Sequence, residues 1–108
     1  AERYRGALPP VYITENGVSY PDAPADDGGV HDRERIDFLA EHLAVALQGT
    51  PGIDVRGYYV WSLLDNWEWA AGFSQRFGLV HVDFDSLTRT PKDSYRWLQK
   101  VLAARTHP

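Results

Sequence analysis

Two β-forming runs with a single amphipathic stretch between them set the limits of what this chain can fold into. Val11-Tyr12-Ile13-Thr14-Glu15 lies between Pro9-Pro10 and Asn16-Gly17. Branched and aromatic residues framed by turn formers read as a strand over 11–15. Val55-Arg56-Gly57-Tyr58-Tyr59-Val60-Trp61-Ser62 reads as a second strand. Between them, Asp32 is placed to cap a helix over about 32–48, with Ile36, Leu39, Ala40, Leu43, Ala44 and Leu47 at helical spacing. Gly49 closes that helix and Pro51 prevents its return. Strand, loop, helix and strand predict a right-handed crossover with parallel strands. A parallel pair with both outer edges unpaired cannot close a sheet. The pattern therefore predicts a piece of a larger α/β domain.

The remaining segments fit that frame. Residues 1–10 read as the tail of a connection into the first strand. Residues 16–31 form a long loop rich in Pro, Gly and Asp, and residues 63–77 a second one rich in Trp, Asp, Glu and Gly. Loops of this length in a compact domain are usually functional or mobile. Leu79-Val80-His81-Val82-Asp83-Phe84 predicts a short strand, followed by a turn at Asp85-Ser86. Thr90-Pro91-Lys92-Asp93 predicts a helix start, with Thr90 as cap and Pro91 at the first helical position. That last helix, about 91–104, would bury Tyr95, Leu98, Val101 and Leu102.

Composition narrows the function classes. The 108 residues contain no cysteine, which excludes disulfides and thiolate metal sites. The net charge of −4, with acids and bases interleaved, argues against nucleic acid or an anionic membrane as partner. No apolar run approaches membrane-spanning length, and Ala1-Glu2-Arg3-Tyr4-Arg5-Gly6 does not resemble a signal peptide. The chain has no Met, not even at its start, so a processed or truncated N-terminus is expected, with cytoplasm as the default compartment. His31, His42, His81 and His107 lack paired metal-ligand spacing, and no metal or other cofactor is expected. Asp26-Asp27-Gly28-Gly29 lacks the alternating acids of an EF-hand. Asp22, Asp26, Asp27, Glu34 and Glu41 read as solvated. Arg33 and Arg35 open a helix where the dipole disfavours cations, so pairing with Asp32, Glu34 or groups outside the chain is expected.

Chemistry concentrates at two strand ends. Glu15 sits where a strand stops and a turn begins, the place where α/β barrels and open α/β sheets build active sites. Trp61 ends the other strand, so in a parallel pair both project from the same edge. Three of the four Trp fall between Trp61 and Trp69. Sugar rings offer C–H faces to indoles and hydroxyls to carboxylates and Trp N–H groups. An aromatic mini-core under a long loop is an equal reading of these residues taken alone.

Ile13-Thr14-Glu15-Asn16-Gly17 and Tyr59-Val60-Trp61-Ser62-Leu63-Leu64-Asp65-Asn66-Trp67-Glu68-Trp69 together resemble glycoside hydrolase family 1, the β-glucosidase family. Arg76-Phe77-Gly78-Leu79-Val80-His81-Val82-Asp83 and Thr90-Pro91-Lys92-Asp93-Ser94 resemble that family's closing segment, so the similarity covers essentially the whole chain. The resemblance implies a (β/α)8 TIM barrel of which residues 1–108 form the last quarter: the seventh strand and helix, then the eighth strand and helix, with no complete independent domain. It implies a retaining mechanism, in which Glu15 is the nucleophile that attacks the anomeric carbon. Glu68 and Trp69 match residues that hydrogen-bond the outer hydroxyls of a non-reducing glucose, Trp61 matches the indole platform under that ring, and Phe77 matches an aromatic wall beside the 6-position. A subgroup that hydrolyses 6-phosphoglycosides places Ser, Lys and Tyr where this chain has Glu68, Gln75 and Phe77. A carboxylate at Glu68 with no ammonium nearby would repel a phosphate, which points to an unphosphorylated sugar.

A retaining glycosidase also needs a second carboxyl about 5–5.5 Å from the nucleophile to protonate the leaving group. The family carries it in an Asn-Glu-Pro motif upstream, which this chain lacks. Asp65 follows a strand end, but the resemblance gives it no such role. The chain alone is therefore not expected to hydrolyse efficiently. Its partners are a β-glucoside or oligosaccharide and the remaining upstream barrel segment. The alternative is a non-catalytic sugar-binding module using Trp61, Glu68 and Trp69. A third reading is an isolated chain that is partly folded or self-associates through its exposed edges.

Overall fold

The computed structural model describes residues 2–4 and 8–105. Residues 1 and 5–7 of the connecting segment before the first strand, and His107, lie outside them. A single 3-10 turn, Glu2–Tyr4, precedes strand β1 (Val11–Asn16). Helix α1 (Arg33–Gln48), strand β2 (Val55–Val60), short strands β3 (Val80–Val82) and β4 (Arg89–Pro91), and helix α2 (Asp93–Arg105) follow.

β1 and β2 pair in parallel, as the crossover pattern predicts. Their ladder is irregular in two places. Between Val11↔Val55 and Tyr12↔Gly57, β2 carries an extra residue, and Gly57 has no Cβ to meet the Tyr12 ring lying against it. Between Ile13↔Tyr58 and Asn16↔Val60 the extra residue is on β1. β3 and β4 form a separate antiparallel pair, and a parallel bridge between Leu64 and Val80 ties it to the segment leaving β2.

α1 forms where its apolar spacing places it, but its buried face is shorter than the stripe suggests. Leu39 is fully enclosed, Ile36, Ala40 and Leu43 are half-buried, and Ala44 and Leu47 are exposed. Asp32 stands at the cap position without capping its own helix. Its carboxylate accepts instead from the backbone N–H of Ser94 at 2.9 Å and the Ser94 hydroxyl at 2.5 Å, so it satisfies free donors at the start of α2.

The start of α2 differs from the expected one. Thr90 and Pro91 belong to β4, paired with His81 and Val80, and the helix begins at Asp93. Proline lacks the amide donor that a strand edge can do without, and it drives the preceding residue toward extended backbone. Lys92 takes the cap position, its carbonyl accepting from the N–H of Tyr95 at 3.1 Å. Of the predicted buried face, Tyr95, Leu98 and Val101 are half-buried and Leu102 is 52% exposed.

The interior is as much ionic as apolar. Val30, Leu39, Leu79, Val80 and Val82 are buried, and so are Asp32, Arg35, Ser62, Asp65, His81, Lys92 and Ser94. One sequence-based expectation fails here. Asp22, read as solvated, has its side chain only 3% exposed, and it binds Arg35 and Lys92. Asp27 is exposed as expected but pairs with His31 at 3.0 Å. Arg35 pairs with Asp32, as anticipated, and with Asp22, whereas Arg33 pairs with Asp37 one turn on.

Candidate functional site

The site is built where β1 and β2 end together. Alternation along β1 breaks at Thr14 and Glu15, which are both exposed, while Val11, Ile13 and Asn16 are half-buried. The extra residue on β1 causes the break: a bulge re-aims the side chains around it, and such bulges are over-represented beside active sites. Glu15 therefore presents an open carboxylate at the strand end. Its neighbour is fixed from both sides. The Asn16 carbonyl accepts from the Trp61 N–H at 2.9 Å, and the Asn16 side-chain oxygen accepts from the Tyr58 hydroxyl at 2.5 Å. Burial pushes the Tyr58 hydroxyl up from its ordinary value of 10.0, so it remains a donor at neutral pH. At Gly17 a Cβ would stand 1.7 Å from the Trp61 carbonyl oxygen, so only glycine lets the two strand ends lie this close.

Beyond β2 the chain passes through the cis peptide bond Trp61–Ser62. The Ser62 N–H donates to the Phe77 carbonyl at 3.1 Å, and the Leu79 N–H donates to the Ser62 carbonyl at 2.8 Å. These bonds close the intervening loop at its base. Within it, the Trp61 indole N–H donates to Glu68 Oε1 at 3.1 Å. A 3-10 turn at Trp69–Ala71 follows, closed by the Glu68 N–H donating to the Gly72 carbonyl at 2.8 Å. The structure thus brings Trp61 and Glu68 into direct contact and bonds the Phe77 carbonyl to Ser62, the residue after Trp61. Trp69 is held in a left-handed conformation with φ 49° and stands 84% exposed. Behind the loop, Trp67 packs edge-on against Phe73, Phe73 lies against Phe84, and Arg76 sits over the Phe84 ring. With Trp67 61% and Phe73 50% exposed, this aromatic group is a surface cluster and not the buried mini-core of the alternative reading.

Lys92, Asp22, Arg76 and Tyr58 were not singled out by the sequence. Lys92 is fully enclosed and donates to Asp22 Oδ2 at 2.5 Å and Asp65 Oδ1 at 2.9 Å. Burial raises the Asp65 carboxyl, but hydrogen bonds from Lys92 and Arg76 outweigh it and hold the group below its ordinary 3.8. Asp65 is thus an ionised structural anchor. His81 is pushed down from 6.5 by burial and by Arg76, so it stays neutral in the same interior. No group of three or more His, Cys, Asp or Glu among the described residues is arranged to hold a metal ion. No described helix is long and apolar enough to cross a membrane.

Comparison with known proteins places this geometry in a family. The model of glycosyl hydrolase family 1 matches residues 1–107. β-Glucosidase A of Thermotoga maritima is 50% identical over 95 residues, covering 87% of this chain and 21% of that protein. A 6-phospho-β-galactosidase of Streptococcus equi is 43% identical over 97 residues, covering 89% of this chain and 20% of that one. The crystal structure of a psychrophilic β-glucosidase from Micrococcus antarcticus superposes with a TM-score of 0.90 at 44% identity, over 98% of this chain and 24% of that one. The chain spans about a fifth of the length of the curated relatives it matches, and it has the fold of an incomplete (β/α)8 barrel. Matched along nearly its whole length in sequence and in backbone, this chain belongs to glycosyl hydrolase family 1.

Proposed function

We propose that this chain is the C-terminal quarter of a retaining β-glucosidase, its seventh and eighth βα units, and that it carries the nucleophile and one wall of the glucose pocket. The observation that carries the reading is the placement of Glu15, exposed at the bulge in β1, directly before Asn16, whose carbonyl accepts from the N–H of Trp61, the partner of Glu68. Glu15 attacks the anomeric carbon, displacing the aglycone to give a covalent glycosyl ester that water then hydrolyses. Trp61 lies under the glucose ring. Glu68 and Trp69 hydrogen-bond its outer hydroxyls, and Phe77 walls the 6-position. With one oxygen engaged by the indole, Glu68 keeps a second oxygen for the sugar.

The substrate is an unphosphorylated β-glucoside or oligosaccharide. Identity alone does not separate this from a phosphorylated one, since a 6-phospho-β-galactosidase is among the relatives. Charge does: Glu68 would repel a phosphate, and Lys92 is buried and committed to Asp22 and Asp65. Gln75 accepts the Ser19 hydroxyl at 2.5 Å and carries no charge. The acid that protonates the leaving group comes from the upstream barrel segment, so the chain alone does not hydrolyse efficiently.

The test is an intact mass of the complete enzyme after incubation with dinitrophenyl 2-deoxy-2-fluoro-β-glucoside. The good leaving group needs little acid, and the fluorine slows release of the intermediate. A single fluoroglucosyl adduct on the peptide containing Glu15 is expected. Its absence, or turnover near normal in Glu15→Gln, overturns the assignment. A module that only binds sugar would give no adduct at any residue.

A further inference from the structure

We propose that Lys92 is a positioning residue for the glucose pocket: its buried ammonium clamps the base of the loop between Ser62 and Gly78 and so sets where Glu68 and Phe77 stand. The inference rests on the glucosidase reading above and adds to it a residue remote from the sugar.

The clamp is read from bonds converging on one carboxylate. Asp65 Oδ1 accepts from Lys92 Nζ at 2.9 Å and from the Gly78 N–H at 2.9 Å. Its Oδ2 accepts from Arg76 at 2.7 Å and from the Val82 N–H at 3.3 Å. Asp65 lies three residues before Glu68, and Gly78 directly follows Phe77. One buried carboxylate therefore fastens both ends of the loop that carries the sugar contacts. Gly78 fits against it because it lacks a side chain: a Cβ there would stand 2.2 Å from the Asp65 backbone nitrogen.

Lys92 joins this anchor to the other long loop. Its second bond goes to Asp22 Oδ2 at 2.5 Å, and the same oxygen accepts from Arg35 at 2.6 Å. Arg35 also donates to the Arg76 carbonyl at 2.8 Å and pairs with Asp32. Three cations, Arg35, Arg76 and Lys92, face three carboxylates, Asp22, Asp32 and Asp65, with Lys92, Asp32 and Asp65 enclosed completely. A closed, neutral, hydrogen-bonded cluster stabilises little beyond an apolar core of the same volume, because both charges lose their water. What it supplies to a neighbouring site is fixed geometry, and displacement of binding groups by about 1 Å can cost roughly a hundredfold in rate.

A clamp and a merely stabilising cluster differ in what their loss does to selectivity. Glu68 bonds the outer hydroxyls and Phe77 walls the 6-position, so misplacing them penalises a substrate that has the 6-hydroxyl more than one that lacks it. The experiment measures kcat/KM of the complete enzyme for 4-nitrophenyl β-glucoside and for its 6-deoxy analogue, in wild type and Lys92→Met, with the folded fraction followed by circular dichroism. Lys92→Met is expected to reduce the ratio of the two specificity constants roughly tenfold, mainly through the KM for the glucoside. Equal losses for both substrates, in proportion to the folded fraction, overturn the proposal. Should Lys92→Met not accumulate as folded protein, Asp65→Asn decides by the same ratio: it keeps the side chain's shape but removes the carboxylate that Lys92 clamps. A ratio unchanged in folded Asp65→Asn then overturns the clamp. Wild type that turns over neither substrate overturns the glucosidase reading and this inference together. Wild-type turnover with an invariant ratio in the variants overturns this inference alone.

Discussion

The Tyr58 hydroxyl donates to the Asn16 side-chain oxygen at 2.5 Å, tying the middle of β2 to the residue that follows Glu15. The Asn16 carbonyl takes the Trp61 N–H, so one residue couples the proposed nucleophile's strand to the proposed sugar platform. Tyr58→Phe removes the donor and leaves a half-buried amide oxygen without it, at a cost of about 1 kcal/mol. In the complete enzyme, kcat should fall about tenfold and labelling of Glu15 by the fluoroglucoside should slow in parallel. A labelling rate equal to wild type would show that the Trp61 contact alone holds Asn16.

The Trp61 indole and the Glu68 carboxylate share a bond of 3.1 Å, and their variants should separate charge from shape. Glu68→Gln keeps an acceptor for the indole but gives the sugar a neutral partner. Hydrogen bonds to charged groups are stronger by about 1 kcal/mol, so KM for β-glucosides should rise about fivefold. Glu68→Ala frees the indole as well and should raise KM further. Equal KM values in the two variants would mean that the indole contact contributes nothing to sugar binding.

Gly78 meets Asp65 so closely that the position tolerates no side chain. Gly78→Ala must push apart the segment at Leu64–Asp65 and the Lys92 bond with it. Overpacking against backbone of this kind destabilises by about 3 kcal/mol. The melting temperature of the complete enzyme should drop by several degrees, and inactivation on heating should be faster. A melting curve superimposable on wild type would contradict the close approach.

How much of this was legible beforehand follows from the range of each signal. β1, α1 and β2 were readable because periodicity and turn residues are local, and the parallel pairing followed from their order. The helix start at Thr90-Pro91 was misread because the same residues suit a strand edge, and a partner strand decides between them. Burial of Asp22 and Lys92 was not legible at all: they lie 70 residues apart, and a charged residue in a polar loop looks the same whether solvated or paired. The roles of Trp61, Glu68, Trp69 and Phe77 came from motif resemblance. Spacing alone left a mini-core equally open; Trp67, Phe73 and Phe84 do touch in series, but Trp67 and Phe73 stay exposed and enclose no core.

His31 should make stability depend on pH. Its Nδ1 lies 2.8 Å from Asp93 and its Nε2 3.0 Å from Asp27, so both nitrogens face carboxylates and the doubly protonated ring satisfies both. Hydrogen bonds to Asp93 and then Asp27 hold its pKa above the ordinary 6.5. Asp27 is held below 3.8, first by the Gly29 N–H and then by His31. A raised histidine pKa means that the contribution is complete below 6.5 and fades as pH rises through the folded value. The lowered Asp27 value sets the acid limit, with its contribution present above 3.8 and lost as pH falls through the folded value. At low salt, His31→Gln should therefore melt below wild type near pH 5.5 and converge on it toward roughly pH 8.5. The pair members are about half exposed, so the difference should be small and should shrink in about 1 M salt. Melting temperatures of both proteins across that range test it, and a constant offset at every pH would show that His31 acts by packing and not by charge.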